Sequence, residues 1–398
     1  MRLGPGLLYE GRTLQGARPK LADFCSATMA EFYSAVDISV AAELAKSSKV
    51  LLIEAESQPA YHTTGRSAAV FSPVYGPEPI RALTRASERF FLAPPKGFCD
   101  APLLSPLHST FIARADQIGS LEAMATSLAD ATSVERIDAQ ELQRRIPLLR
   151  KGYAAGALWD SATCEIDVAA LHQGYLRLFR SAGGVVETSA RVRELEHHPK
   201  GWRIETEKGA FTAGTIVNAA GAWADEIGAL AGAEQIDLVP KRRTALIIDP
   251  PEGYDPHGLP LVIDVEEGFY LKPDAGKLLI SPANEDPEPP CDVQPDELDI
   301  AIGVHNIEQA FDVQVKRIQT PWAGLRSFVA DKSPVAGVSQ LAKGFYWLAG
   351  QGGYGIQSAP ALAEYAAAEI LGRPLPGHVL AEGLDPASLR PARLGRAA

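Results

Sequence analysis

The chain has 398 residues, 46% hydrophobic and 22% charged, with 38 basic against 49 acidic side chains and a net charge of −11. That length houses two domains and a sizeable core, and the acidic balance speaks against a nucleic-acid partner, which wants a basic face. No apolar run approaches the roughly 18 residues that a membrane-spanning helix requires, so no transmembrane segment is expected.

Residues 1–20 show neither helical nor strand periodicity and read as an irregular leader. Arg2, Arg12, Arg18 and Lys20 fall here, but no apolar core and cleavage site follows them, so no signal peptide is expected. A helical stretch then ends in VAAELAK (40–46), and KVLLIE (49–54) follows as a buried strand closed by an acid. DVAALHQGYLRLFRSAGG (167–184) has the pattern of an amphipathic helix stopped by Gly183 and Gly184, with VVET as the next strand. Alternation and tight turns after Arg191 suggest a small antiparallel layer that feeds the buried strand TIVNAAG (215–221). Residues 240–290 are rich in β-branched residues and prolines and read as mostly antiparallel. FYWLA (345–349) is a further buried strand, GQGGYG follows, and a helix runs from about Ala359 to Leu371. The tail beyond Pro374 reads as irregular.

Strand–helix signals thus occur at the start, middle and end, with antiparallel material between them. The expected fold class is α/β, a Rossmann-like unit interleaved with a mostly antiparallel one. The first would take residues 22–72, 155–235 and 330–373, and the second 73–154 and 236–329. Residues 1–21 and 374–398 would be irregular ends. Cys25, Cys99, Cys164 and Cys291 show no metal-ligand spacing. They suit a reduced, cytoplasmic protein without a metal site, although a disulfide stays open.

Five groups of residues suggest chemistry. Glu54, at a strand end, suits a ribose diol or is a solvated acid. TTGRSAA (63–69) clusters donors suited to a phosphate, or forms a loop with a helix cap. VNAAGAWAD (217–225) lets backbone approach a ligand, or is a plain strand-to-helix turn. GQGGYGIQ (350–357) offers backbone N–H groups at a helix start, or needs positive φ in its loop. Arg243, Tyr270 and Arg326 would grip a carboxylate, with a structural ion pair as the plainer alternative.

The order and spacing of these stretches carry a resemblance. QPAYHTTGRSAAVF (58–71), PPKGFCDAPLLSP (94–106), IVNAAGAW (216–223), PKRRTALI (240–247), FYLKPDAG (269–276), SPANEDP (281–287), TPWAGLRSFVAD (320–331) and GQGGYGIQ resemble the D-amino acid oxidase-like flavoproteins. The nearest likeness is to the bacterial D-arginine dehydrogenases. The resemblance implies noncovalent FAD. Glu54, Arg66, Ser67, Ala68, Val192, Ala220, Gly221, Trp223, Gly352, Gly355, Ile356 and Gln357 would lie along it. Arg243, Tyr270 and Arg326 would hold a substrate carboxylate, the Gly353 carbonyl would accept from the amine, and Tyr75 would belong to a lid. It also implies hydride transfer from Cα to flavin N5 and hydrolysis of the imine to a 2-oxo acid and ammonia. A quinone or another non-oxygen acceptor would take the electrons.

Two departures stand out. The family opens with a strand and G-x-G-x-x-G; counted back from the VAAELA helix, its glycines become Phe32, Ser34 and Asp37. The stretch 24–37 holds no glycine, and no strand is evident before it. Either a short stretch has been translated out of frame behind an added leader, or the chain has diverged and binds flavin poorly or not at all. In the substrate pocket, Ser109 replaces the glutamate that reads a cationic side chain, and Val70 replaces a lid histidine. With Leu261 and Ile263 beside them, the expected substrates are D-amino acids with neutral or apolar rather than cationic side chains. N-methyl or secondary amino acids are the alternative.

Overall fold

The computed structural model describes residues 28–32 and 35–395, and for residues 28–36 the backbone alone. The expected leader lies outside the described residues. In chain order the elements that position the site are β1 (Thr28–Phe32), α1 (Ala35–Ala45), β2 (Val50–Ile53), β3 (Val70–Phe71), α2 (Glu78–Leu92), β4 (Ser109–Ala113), β5 (Gly156–Asp160), β6 (Cys164–Ile166), α3 (Val168–Ser181) and β7 (Val185–Glu187). There follow β8 (Thr215–Ala219), β9 (Val239–Ile248), β10 (Leu261–Asp264), β11 (Tyr270–Asp274), β12 (Lys277–Ser281), β13 (Ile318–Phe328), β14 (Val335–Val338), β15 (Phe345–Ala349) and α4 (Gly355–Ile370).

One sheet has six strands in the order β14-β15-β8-β1-β2-β7. Every neighbouring pair is parallel except β14 with β15. Parallel strands want both faces covered, and the residue pattern obeys: β2 and β15 are buried at every position. Helix α1 is buried nearly all round, with Val40, Ala41 and Leu44 fully inaccessible, and it packs against α3 and α4. The chain crosses from β1 to β2 on one side and later elements add β8 on the other. The carboxyl end of β1 is therefore a topological switch point, where open α/β sheets bind ligands.

The sequence shows no strand ahead of α1, but one is present. Thr28–Phe32 fills the slot between β8 and β2, with Thr28 opposite both Thr215 and Val50. Two waiting ladders override the weak local propensity of five residues. The C-terminal region also departs from expectation. Gly377–Ala381 is helical and short 3₁₀ turns follow at Pro386–Leu389 and Pro391–Leu394. Val379 and Leu389 are fully buried in the core around α1 and α4, so apolar anchors order a segment whose proline and arginine content suggested irregularity.

The second sheet has nine strands and is mainly antiparallel. Its path runs β9-β12-β11-β10-β4-β5, with β13 paired along the length of β9. The β10–β4 pair is parallel and sets Leu261 opposite Ser109 and Ile263 opposite Phe111. Antiparallel pairing sets Ile263 opposite Tyr270. Side chains two apart on a strand share a face. Tyr270, Ile263 and Phe111 therefore form one row, and Lys272, Leu261 and Ser109 the next. The three described free cysteines, Cys99, Cys164 and Cys291, are unpaired thiols.

Candidate active site

Two adjoining cavities lie where the sheets meet. The first, with about 870 Å³ of empty space, is bordered by Thr63–Thr64, Arg66–Ala68, Gly221, the β13 segment from Trp322 to Ser327, and Gln351–Gly353 with Gly355 and Ile356. The second, about 750 Å³, has the two side-chain rows as its floor and Val70, Tyr75, Glu267 and Gln357 on its walls. Ser67, Ala68, Arg243, Tyr270, Arg326 and Gly353 line both.

The first cavity is shaped by backbone. Helix α4 begins at Gly355, four residues earlier than its sequence suggests, which brings Gly355 and Ile356 to its open N-terminal turn beside the cleft. Unpaired N–H groups at such a terminus favour an electron-rich ligand edge. Gly352 has φ +56°, and a Cβ there would sit 2.2 Å from the Phe328 ring. A Cβ on Gly353 would sit 2.8 Å from Nη1 of Arg326.

Residues implied to contact cofactor are distributed unevenly. Ser67, Ala68, Gly221, Gly352, Gly355 and Ile356 line the cleft. Ala220 and Val192 are buried beside it in one apolar cluster with Trp223, which packs on His62 at 5.1 Å. Glu54 is buried at the end of β2, where its carboxylate accepts from the Glu56 N–H at 2.9 Å. Arg66 reaches the cleft, but its guanidinium is bound by Asp292 and by the carbonyls of Val293 and Ala323 at 3.1 Å each. Its charge is thus neutralised within the protein. Gln357 faces the second cavity: its Oε1 accepts from the Ser72 N–H at 3.0 Å, while its buried Nε2 has no partner among the described residues.

The second cavity is shaped by side chains. Register on β9 and β13 sets Arg243 opposite Gly324 and Arg326 opposite Lys241. No carboxylate among the described residues pairs with Arg326, a half-buried guanidinium that lines both cavities. Burial works against its charge, while Tyr75, Tyr270 and Tyr354 with Glu267 more than compensate and hold its pKa up. Arg243 is 7% exposed; burial first, then the neighbouring Arg326, pushes its pKa down. It donates to Glu285 at 3.2 Å, and its buried Nε–H has no partner among the described residues. Glu285 also accepts from Lys241 at 2.9 Å and Lys332 at 3.2 Å, so it is shared among three cations. Two arginines with unspent donors facing one cavity suit an anion with two oxygens.

Tyr75 packs edge-on to Tyr354, with ring centroids 5.0 Å apart. Burial, then Glu267, raises its pKa, so the phenol keeps its proton. Beyond Tyr75 opens an outer cavity of about 1120 Å³ that also touches Phe111, Glu267 and Tyr354.

The structure thus brings Arg243, Tyr270, Arg326, Gly353 and Tyr75 together with Val70, Ser109, Leu261 and Ile263. Phe111, Glu267, Lys272 and the buried residues behind Ser109 were not foreseen. Phe111 and Lys272 follow from pleat alternation once Ser109 and Tyr270 are placed. Glu267, at φ +56° in the β10–β11 turn, leaves no sequence signal.

A parallel sheet whose switch point faces a glycine-built cleft, joined to a cavity holding two under-paired arginines, defines an oxidoreductase with a dinucleotide cofactor. The chain belongs to the DAO family of FAD dependent oxidoreductases, whose pattern matches residues 38–369. It is similar to human mitochondrial dimethylglycine dehydrogenase, 29% identical over 155 residues, which are 38% of this chain and 18% of that protein. It is also similar to L-2-hydroxyglutarate dehydrogenase of Escherichia coli K12, 26% identical over 197 residues, 47% of this chain and 44% of that protein. The chain therefore spans less than half the length of these relatives. Glycine oxidase from Geobacillus kaustophilus shares the fold with a TM-score of 0.77 at 19% identity, covering 93% of this chain and 98% of that one. L-proline dehydrogenase from P. horikoshii gives 0.71 at 21% identity, covering 88% and 95%.

The family's cofactor is FAD. The glycine-built cleft fits the flavin end. The β1–α1 turn fits less well: the helix places Asp37, a buried acid, in its first turn, where the family has its third glycine. Phe32 closes β1, and Ser34 lies outside the described residues. Among the described residues no helix is long and apolar enough to cross a membrane.

Proposed function

We propose that this chain oxidises the α-amine of a small amino acid, with D-amino acids bearing neutral side chains as substrates. The observation that carries this reading is the Arg243–Arg326 pair, whose unspent donors face a cavity that shares a wall with the cofactor cleft.

FAD, when bound, supplies the two-electron acceptor. The chain's own groups do the positioning. Arg326 and Arg243 take the substrate carboxylate and Tyr270 adds a hydroxyl. The Gly353 carbonyl accepts from the amine, which reacts in its neutral form. Fixing Cα against the shared wall supplies rate through orientation. Tyr75, Phe111 and Ile263 narrow the cavity and exclude water. The imine, once released, hydrolyses to a 2-oxo acid and ammonia, and a quinone or another non-oxygen acceptor reoxidises the flavin.

The relatives favour a second reading, oxidation of N-methyl or secondary amino acids, since their names specify dimethylglycine and L-proline. Anaerobic mixing of the yellow holoprotein with a panel of D-, L- and N-methyl amino acids tests both. Bleaching by D-methionine, D-leucine or D-asparagine, with 2-oxo acid formed, is the expected result. Bleaching by sarcosine or proline alone selects the second reading. A colourless protein that FAD does not reconstitute overturns both.

A further inference from the structure

The far end of the substrate cavity holds a directed hydrogen-bond chain. Asp160 is fully buried and accepts from the Ser133 hydroxyl at 2.7 Å, the Ala162 N–H at 3.0 Å and the Thr163 hydroxyl at 2.7 Å. Thr163 is 1% exposed and has one hydroxyl proton, which is committed to Asp160. Its contact with Ser109, 2.9 Å between oxygens, can then run in one direction: Ser109 donates and Thr163 accepts. Ser109, Thr163 and Asp160 are each at most 1% exposed, so solvent does not compete within this inner part of the chain. Ser109 lines the cavity with its proton spent and its lone pairs left over. A hydroxyl that could in general donate or accept is fixed here as an acceptor.

From this we infer that Ser109 selects a substrate side chain bearing a hydrogen-bond donor, an amide N–H or a hydroxyl, and that Thr163 is the positioning residue that sets this polarity. The inference rests on the amino acid reading above. The surrounding surface supports it. On the cavity floor, Leu261 and Phe111 beside Ser109 offer no polar side-chain atom. Lys272, in the same row, is 3% exposed and already donates to Glu165 and to Asp274 at 3.3 Å. At Ser109 itself, a side chain that brings an acceptor sets two lone pairs facing each other without a proton, whereas Gln357 Nε2, a donor with no partner among the described residues, lies on the wall and not on the floor.

Three D-amino acids of equal heavy-atom shape separate the possibilities: asparagine carries donor and acceptor, aspartate acceptors alone, and leucine neither. Both kcat/KM and calorimetric Kd are measured for each with FAD-loaded wild type, Ser109→Ala, Thr163→Val and Thr163→Ser. Ratios within one variant cancel losses of folded enzyme and of flavin. In Ser109→Ala the asparagine-to-leucine ratio falls about tenfold, the scale of one lost hydrogen bond. In Thr163→Val the Ser109 proton is released to point into the cavity, so the asparagine-to-aspartate ratio falls by several-fold (~5). Thr163→Ser keeps the hydroxyl and restores it. Unchanged ratios in both Ser109→Ala and Thr163→Val, with amino acids still bound, overturn this inference and leave the general reading standing. Failure of wild type to bind any amino acid overturns the general reading, and this inference with it.

Discussion

The two ends of the cofactor cleft differ in what their glycines are for. At the flavin end, Gly352 and Gly353 are required by the protein itself, because a Cβ at either would strike Phe328 or Arg326. At the β1–α1 turn the family's glycines shape the turn, admit a bound pyrophosphate and let helix and strand pack closely, and residues 24–37 of this chain hold none. The strand still pairs on both edges and α1 is still buried. A glycine that serves packing changes at a cost in stability, whereas one that serves only a ligand can change and leave stability intact.

Four substitutions break or sharpen this contrast. Arg326→Met removes the guanidinium that Gly353 makes room for; truncating one side of such a contact costs about 2–5 kcal/mol. A fall in kcat/KM of roughly a hundredfold or more is expected, with near-native melting. Gly352→Ala meets both a positive φ and the Phe328 ring, so a loss of about 2–3 kcal/mol and a melting point lowered by some degrees are expected by calorimetry. Asp37→Gly acts at the other end. It removes a charge of the same sign as the pyrophosphate at the cost of about 0.3 kcal/mol of helix propensity, and FAD affinity in a fluorescence titration should rise about tenfold. If affinity is unchanged, the turn does not lie against the pyrophosphate. Tyr270→Phe loses one hydroxyl and is expected to raise KM by about five- to tenfold with kcat nearly kept. An equal loss in kcat would place that hydroxyl in the chemical step instead.

Much of the architecture could be read from residue order. The β2 run, the α3 helix with its glycine stop, the β8 strand and FYWLA all carry strong periodic or β-branched signals, and each forms where expected. Arg326 was legible as a guanidinium in an apolar stretch that wants an anion, while the ion pair that was the plainer alternative forms at Arg243 with Glu285. What escaped the sequence depends on tertiary context. Strand β1 has too little propensity to be seen alone and exists because two neighbours need it. Val379 and Leu389 order the C-terminal region through contacts hundreds of residues away in sequence from α1. The direction of the Ser109 hydroxyl depends on Thr163 and Asp160, which no motif marks. Arg66, in a donor-rich loop, reads as a phosphate ligand until Asp292 is seen against it.

The wall shared by the two cavities has a thermodynamic consequence. Ser67, Ala68, Arg243, Tyr270, Arg326 and Gly353 cannot adjust to one occupant without altering the surface offered to the other. Binding at the two cavities therefore forms a linked system, and linkage is reciprocal. Whatever factor a carboxylate ligand adds to FAD affinity, FAD must add to the affinity for that carboxylate. The supply of such a ligand would then help set how much of the protein carries its flavin, in a chain whose residues 24–37 hold no glycine.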